Sequence, residues 1–419
     1  MRKCCVIILI LAYVLPATVA DWPQFRGPDG QGHAEASSIP LQWSETQNVR
    51  WKTRIPGEGH SSPVIRGDQI WMTTSTEDGK SLRAVCVERT TGRLLHDVEV
   101  LRPAEVGAKH PENGFASPTP VLDNDRVFVH FGGHGTACLD RDGNILWEST
   151  KLQFAGVQGS ASSPILHGDL LILTCDGNDS QFVAALDKQS GDVRWKQPRE
   201  HYAARATENS FFRMAYSTPL VARIGDVDQL VSTAADHVAA YDVLTGKEIW
   251  WMPYEGCSQV ARPLFGYGMF FVVGTVTLDH HCIYAIRPGK GRTDPHAVVW
   301  KRPQGVGHVP SPILVGQQIY FVHDDGIVTC IDALTGKQHW RERLGGRYRA
   351  SPIEVQGRIC FSSVQGRTTV LSAGTEFQSL ATNDLDGSFL ASPAVAGNAI
   401  FLRSGAHLYR IDDEDTERQ

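Results

Sequence analysis

Two segments of the chain concentrate side chains that could bind a ligand. Residues 97–119 contain His110, and residues 196–218 contain Tyr202, Arg205, Phe211, Arg213 and Tyr216. Aromatic rings together with Arg and His suit the recognition of a peptide, a glycan or a small anion. The same side chains could serve only to pack the two segments against the protein, and the sequence leaves both interpretations open.

Metal and acid–base chemistry have weaker support in the sequence. The runs Asp279–His281 and His323–Asp325 offer ligands, but a protein metal site needs three or four that converge. We interpret both runs as solvated loop residues and predict no metal site. The run Asp176–Asp179 lacks the distal Glu of a calcium loop. Glu112 and Glu208 are the only carboxylate pair that we could propose for a glycosidase. We assign no catalytic residue.

The cysteines also favour structure over chemistry. Beyond residue 20 there are seven of them, at positions 86, 138, 175, 257, 282, 330 and 360. Cys86, Cys138 and Cys330 lie two residues before an acidic residue of a repeated pattern, where other copies have Ala. A position that accepts Ala or Cys is a small buried packing position. We therefore predict buried thiols, with Cys257, in a loop, as the best candidate for a free thiol.

Composition and charge exclude several classes of protein. Apolar residues make up 42% of the 419 residues, and 46 acidic against 40 basic residues give a net charge of −6, so no basic surface is available for nucleic acid. Residues 1–20 have the basic start, the apolar run and the small residues of a signal peptide. Its apolar run is too short to span a bilayer. We predict export to the periplasm or outside the cell, without a stable membrane anchor.

A repeated sequence positions the candidate residues. Pro, three residues and usually Gly precede an apolar run eight times, and Ser or Thr precedes the Pro in every copy except that of Arg262. About thirty residues later, Asp is followed by Gly and then by Trp. Asp suits a tight turn, Gly supplies its positive φ, and Trp can wedge between sheets. The residues of this second pattern are Asp140, Trp147, Asp187, Gly191, Trp195, Asp242, Gly246, Trp250, Trp300, Asp332, Gly336 and Trp340.

Eight units of forty to fifty-seven residues, each read as four short strands, predict an all-β, eight-bladed β-propeller. The strand around residues 48–51 should complete the last blade. This divides the chain into a leader (21–47), the blades (48–412) and an acidic tail (413–419). The two ligand-rich segments then become links between blades on one face. The residues ahead of each innermost strand should join them around the channel mouth, and these include His60, His308, Tyr348, Arg349 and Phe389.

The paired patterns resemble the repeat of the pyrroloquinoline-quinone (PQQ) dehydrogenases and of their non-enzymatic, BamB-like relatives. The resemblance covers nearly the whole chain after residue 20. It implies the fold but is nearly silent on function, because members share the repeat with or without a cofactor. The enzymes use two adjacent cysteines, a Ca²⁺ site with Glu and Asn, an Asp base and a Trp under the cofactor. The only adjacent cysteines here are Cys4 and Cys5, in the signal peptide.

We therefore expect no cofactor and favour an exported, non-catalytic propeller that binds a protein or a small ligand on its loop-rich face. An oxidoreductase with a divergent site, dependent on PQQ with Ca²⁺ or on another cofactor, is the alternative hypothesis. A carbohydrate-binding or carbohydrate-active propeller is a further one.

Overall fold

The computed structural model describes residues 21–413, apart from 37, 203–208, 255, 278–279, 290, 293–296 and 304; the side chains of 210–211, 275–277, 280 and 292 are also not described. The predicted signal peptide, the tail beyond 413 and Arg205 thus lie outside the described residues. In the described part, helix is limited to the 3-10 turns Gly132–His134 and Ser210–Arg213. No described helix is long and apolar enough to cross a membrane.

Antiparallel sheets form the body of the protein. Short turns join most of the strands within a sheet, and several of the links between sheets are longer. The strands of the leader and of the first four sheets are β1 (His33–Ala34), β2 (Val49–Arg54), β3 (Val64–Arg66), β4 (Gln69–Ser75), β5 (Leu82–Glu88), β6 (Leu94–Leu101), β7 (Val121–Leu122), β8 (Arg126–His130), β9 (Thr136–Asp140), β10 (Ile145–Ser149), β11 (Ile165–His167), β12 (Leu170–Asp176), β13 (Gln181–Asp187), β14 (Val193–Pro198), β15 (Leu220–Ile224), β16 (Val227–Thr233), β17 (His237–Asp242) and β18 (Glu248–Pro253).

The second half of the chain repeats this arrangement. Its strands are β19 (Leu264–Gly266), β20 (Met269–Thr277), β21 (His280–Ile286), β22 (Gly291–Arg292), β23 (Val298–Arg302), β24 (Ile313–Val315), β25 (Gln318–Val322), β26 (Ile327–Asp332), β27 (Gln338–Arg343), β28 (Ile353–Val355), β29 (Arg358–Ser362), β30 (Arg367–Ser372), β31 (Ser379–Asp384), β32 (Ala394–Ala396), β33 (Ala399–Arg403) and β34 (His407–Ile411). The eight sheets confirm the predicted eight-bladed propeller. Blades 1 to 7 begin at β3, β7, β11, β15, β19, β24 and β28.

The N-terminal strand closes the ring, as predicted. Blade 8 consists of β32, β33, β34 and β2, and β2 runs antiparallel to β34 with Val49 opposite Ile411. Two blades gain a fifth strand: β1 lies parallel to the innermost strand of blade 7, and β22 lies parallel to the outermost strand of blade 4. These additions cover sheet edges that would otherwise be open.

The Ser or Thr ahead of each Pro forms a belt of hydrogen bonds around the channel. The backbone N–H of one blade donates to the side-chain hydroxyl of the next blade. Among the described residues these bonds join Ser62 to Thr119 (2.9 Å), Thr119 to Ser163 (2.9 Å), Ser163 to Thr218 (3.0 Å), Arg262 to Ser311 (3.0 Å), Ser311 to Ser351 (3.0 Å), Ser351 to Ser392 (2.9 Å) and Ser392 to Ser62 (3.0 Å). The repeated Ser/Thr-Pro pattern is therefore an inter-blade contact, and the belt lacks a hydroxyl only where Arg262 replaces it.

The Trp of the second pattern joins each blade to the next on the outside of the ring. The Nε1 of Trp195 donates to the carbonyl of Val243, the residue directly after the turn Asp242, at 3.2 Å. The indoles at positions 51, 147, 300 and 340 make the equivalent bond to the next blade. Trp250 differs, because its Nε1 donates to Gln229 within its own blade at 2.8 Å.

Apolar clusters between neighbouring blades make up the core. One cluster joins blades 3 and 4 through Ile172, Trp195 and Tyr241, all buried, and similar clusters lie at the other blade interfaces. All seven described cysteines are buried, which confirms the packing prediction for Cys86, Cys138 and Cys330. Cys257, which was predicted to lie in a loop, is buried as well. The turn carboxylates also have structural partners: Asp187 accepts from the backbone N–H of Gln189 at 2.8 Å.

The leader closes one end of the central channel. Trp22 and Ile65 of β3 exchange two backbone hydrogen bonds (2.9 and 2.8 Å), and the N–H of Glu354 in blade 7 donates to Gly32 at 2.9 Å. Between these points the guanidinium of Arg26, 1% exposed, donates to the carbonyls of Gln31 (2.6 Å) and Pro312 (2.7 Å). The leader thus crosses the ring from blade 1 to blade 7. The sequence analysis did not predict this crossing.

Candidate functional site

A central cavity of about 350 Å³ lies at the open end of the channel. Phe25 of the leader is part of its lining, so the leader closes the cavity on one side. The lining also includes the belt hydroxyls and, from each blade, the residue three positions before the repeat Pro. These eight residues are His60, Ser117, Ala161, Tyr216, Val260, Val309, Arg349 and Leu390. Residues one and three positions before the Pro thus face the channel, as period-two alternation requires.

Several predicted mouth residues line this cavity. His60, His110, Tyr216, His308 and Arg349 all contribute to its wall. Burial, together with the positive charges of Arg403 and Lys109, lowers the pKa of His60 to about 4, so its imidazole is neutral near pH 7. His308 Nε2 lies 2.8 Å from the carbonyl oxygen of Ser258 and is held in place by that contact.

Two predicted mouth residues belong to the core instead. Tyr348 and Phe389 are 0% and 2% exposed, and both pack within apolar clusters. Neither lines the cavity, so placing them at the mouth was wrong. His308 lies at the same distance from its repeat Pro and does line the cavity, so sequence position alone does not decide the orientation. Tyr202 and Arg213 are absent from the cavity lining; the Arg213 guanidinium lies 5.9 Å from the centroid of the Tyr202 ring. Arg205 and the side chain of Phe211 lie outside the described residues.

The histidine runs need one correction. His281 lies in β21 and is 6% exposed, rather than in a solvated loop, and its ring stacks on His308 with centroids 5.1 Å apart. His323 follows β25 and contacts the carboxylate of Asp325 at 2.6 Å. Within the described ranges, no three His, Cys, Asp or Glu side chains converge on a position that could hold a metal ion.

The carboxylates of the Asp176–Asp179 run accept hydrogen bonds from other groups of the protein. The Asp176 carboxylate pairs with Nε of Arg199 at 2.7 Å, and both side chains are fully buried. Burial raises the pKa of Asp176 to about 6, while Arg199 opposes that change. Asp179 accepts from the backbone N–H of Ala155 at 2.7 Å. These contacts give the run a structural role.

A second depression lies beside the cavity, over blade 2. The strands β8 and β9 have five residues each, whereas their counterparts in blades 1 and 3 have seven. The short blade leaves a groove of about 870 Å³ between the links that follow β6 and β10. Its lining combines apolar side chains, including Leu101, Phe115, Phe154 and Val157, with polar ones such as Arg102. This groove was not predicted from the sequence.

An ion-pair cluster crosses the mouth. Glu112, on the link between blades 1 and 2, contacts Arg347 and Arg349, on the link between blades 6 and 7. Arg349 Nη2 donates to Glu112 Oε2 at 2.8 Å, and its Nη1 donates to Asp324 at 2.8 Å. The hydrogen bond from Arg349, aided by the charge of Arg347, keeps the pKa of Glu112 below its ordinary value. The link that carries Glu112 is therefore anchored to the opposite side of the ring.

Comparison with known proteins identifies the family. The family model described as "Outer membrane protein assembly factor BamB" matches residues 79–229 and 225–419, so the chain belongs to this family. A protein of Burkholderia pseudomallei (strain K96243) that carries the same name is 27% identical over 283 residues. The match covers 64% of this chain and 66% of that protein, slightly less than two thirds of the relative.

Solved structures show the same fold at low sequence identity. BamB from Moraxella catarrhalis superposes with a TM-score of 0.59 and 14% identity, covering 87% of this chain and 98% of that chain. Quinohemoprotein alcohol dehydrogenase from Comamonas testosteroni superposes with a TM-score of 0.67 and 10% identity, covering 93% and 80%. BamB and an alcohol dehydrogenase thus share this propeller, and the fold alone does not decide the function of this chain.

Proposed function

We propose that this member of the BamB family is an exported, non-catalytic propeller that binds a protein partner at its mouth and assists the assembly of outer membrane proteins. The names of the relatives support the assembly role, and the N-terminal sequence supports export. The observation that carries the binding role is the groove over blade 2, which adjoins the central cavity on one face.

The groove is suited to a segment of polypeptide. Its volume of about 870 Å³ lies within the range of pockets that enclose a ligand. Val157, in the groove wall, is 40% exposed, so its apolar side chain is accessible to a partner protein. Burial of apolar side chains of this kind is the main source of affinity at protein interfaces.

The residues at the mouth do not fit PQQ and Ca²⁺. Glu112 and Asn113 would be the Glu and Asn nearest to the cavity, but the Glu112 carboxylate is neutralised by two arginines. The Asn113 amide oxygen already accepts from Ser117 Oγ at 2.5 Å and from the N–H of Gly114 at 2.8 Å. No Trp occurs among the described residues that line the cavity. We therefore derive no oxidation step and expect no cofactor.

Glycoside hydrolysis also lacks support. Of the two carboxylates considered for it, Glu208 lies outside the described residues. Glu112 has a lowered pKa, whereas a general acid needs a raised one.

Site-specific photocrosslinking in cells tests the proposed function. A photoreactive amino acid at Val157 should yield a crosslink to a partner protein. The matched control is position 244, where Leu244 is 68% exposed in a turn on the opposite face. Equal crosslinking at both positions, or none at Val157, would contradict binding in the groove. Saturable binding of PQQ with Ca²⁺ in calorimetry, accompanied by dye reduction, would instead support an oxidoreductase.

A further inference from the structure

The Glu112 carboxylate occupies a receptor made by two arginines. Arg349 approaches it with Nη2 at 2.8 Å and Nε at 3.2 Å, and Arg347 contacts its other oxygen. Two guanidinium groups around one carboxylate form the arrangement with which proteins bind acidic side chains, because the planar donors match the carboxylate geometry. Glu112 reaches this receptor from a link on the other side of the mouth.

The charge balance at the mouth depends on Glu112. Arg349 forms a second ion pair with Asp324. Arg347, whose side chain is 52% exposed, forms its ion pair with Glu112. Without Glu112, two guanidinium groups would face one carboxylate. Lys109 and Arg403 add positive charge, as their effect on the pKa of His60 shows, although Glu58 lies 4.0 Å from Lys109 and partly balances it. Arg403 is buried and donates to the Ser61 and Thr73 carbonyls at 2.9 and 3.1 Å.

The contact of Glu112 is also weak enough to be exchanged. Its side chain is 37% exposed, and an exposed ion pair typically contributes about 0.2 to 1 kcal/mol. A carboxylate from another molecule would make the same bonds at little net cost, and the link would move aside.

We propose that Glu112 stands in for a carboxylate of the protein partner, so that the mouth binds an extended acidic peptide segment whose Asp or Glu displaces Glu112 from Arg347 and Arg349. This inference rests on the proposed function and specifies its partner chemistry. Glu112 is then an internal competitor: it keeps the arginines paired while no partner is bound and weakens the binding of acidic segments.

Fluorescence polarisation with a dye-labelled hexaglutamate peptide tests the inference, with a hexaglutamine peptide as reference. The variant Glu112→Gln should bind hexaglutamate about fivefold more tightly than the unchanged protein, which corresponds to about 1 kcal/mol. The variants Arg347→Gln and Arg349→Gln should each weaken it. The matched control is Glu376→Gln, an exposed residue in the turn between β30 and β31 that loses the same charge away from the mouth, and its affinity should change less than twofold.

Several results would overturn the inference. These are weaker or unchanged binding by Glu112→Gln, equal gains in Glu112→Gln and Glu376→Gln, or equal binding of the two peptides. The Arg347 side chain is 52% exposed, so Arg347→Gln should not disturb folding, and weaker peptide binding by this variant reports on the mouth itself. If the crosslink from Val157 persists while hexaglutamate fails to bind, the acidic-segment inference fails alone and the proposed function stands.

Discussion

The stacking of Gly246 on Trp195 gives a quantitative test of how the blades are joined. A Cβ added at Gly246 would lie 2.5 Å from Cε3 and 2.7 Å from Cδ2 of Trp195, about 1 Å inside normal carbon contact. The φ of Gly246 is +73°, where a non-glycine residue costs roughly 1–2 kcal/mol. Displacing the ring, which is held by its bond to Val243, should cost roughly 1–3 kcal/mol more.

The chain offers a control that separates the two effects. Gly168 has a φ of +56° and nothing within 4 Å of an added Cβ, so Gly168→Ala carries only the backbone cost. We expect Gly246→Ala to lower the free energy of unfolding by about 2–5 kcal/mol and Gly168→Ala by about 1–2 kcal/mol. Urea unfolding of residues 21–419 measures both.

A double variant sharpens the test. In a Trp195→Leu background the extra cost of Gly246→Ala should fall to that of Gly168→Ala, because the ring that obstructs the Cβ is gone. If Gly246→Ala costs no more than Gly168→Ala in the unchanged protein, the stacking contact does not stabilise the junction of blades 3 and 4.

Three further predictions concern buried charged and titratable groups. Arg262→Ser removes the donor that holds the Phe25 carbonyl at 2.8 Å, so limited trypsin digestion should cleave the leader faster than in the unchanged protein. Arg199→Met leaves Asp176 buried without its cation and should cost about 3–5 kcal/mol in denaturant unfolding. Burial lowers the pKa of His130 to about 4 in the folded protein. As the pH falls from about 6.5 to 4, the unfolded chain therefore takes up a proton that the folded protein does not, and the free energy of unfolding should decrease. The variant His130→Gln should show a smaller decrease.

Each of these predictions has a result that would contradict it. Unchanged digestion of the leader would show that Arg262 does not anchor it, with Ser351→Ala as a belt variant that leaves the leader contacts intact. Unfolding of Arg199→Met within 1 kcal/mol of the unchanged protein would mean that Asp176 is accommodated without a charge partner. If the free energy of unfolding depends on pH in the same way in His130→Gln and in the unchanged protein, a group other than His130 causes the loss of stability at low pH.

The ring could be predicted from the sequence because its contacts repeat. Each blade needs the same turn at the Asp and the same junction at the Trp, so the same residue types recur at nearly constant spacing. The leader makes contacts that occur once, such as those of Arg26 with Gln31 and Pro312. A contact that occurs once leaves no repeated signal, although the lone Arg262 in a Ser/Thr position marked the place where the leader is held.

The mouth was predicted only in part, because the sequence analysis did not use alternation strictly. Counting three residues back from each repeat Pro selects the lining residues, including Val260 and Leu390, which are not polar and were passed over. The same count excludes Tyr348 and Phe389, but it also misses His308, which lies four positions before Pro312 and still lines the cavity. The groove over blade 2 depends on the difference in strand length between neighbouring blades, and strand ends are the least certain part of a sequence-based assignment.

Ring closure through β2 has a consequence for the order of events during synthesis. Arg50 of β2 binds Asp412, 362 residues later, with Nε 2.8 Å from Oδ1. Strand β2, the first blade strand to leave the ribosome, therefore cannot pair until its partner β34 has been synthesised. Bringing ends so far apart together costs about 5 kcal/mol of chain entropy by the usual logarithmic estimate. The leader and the completed eighth blade must offset that cost together, so β2 keeps an open strand edge until β34 has been synthesised.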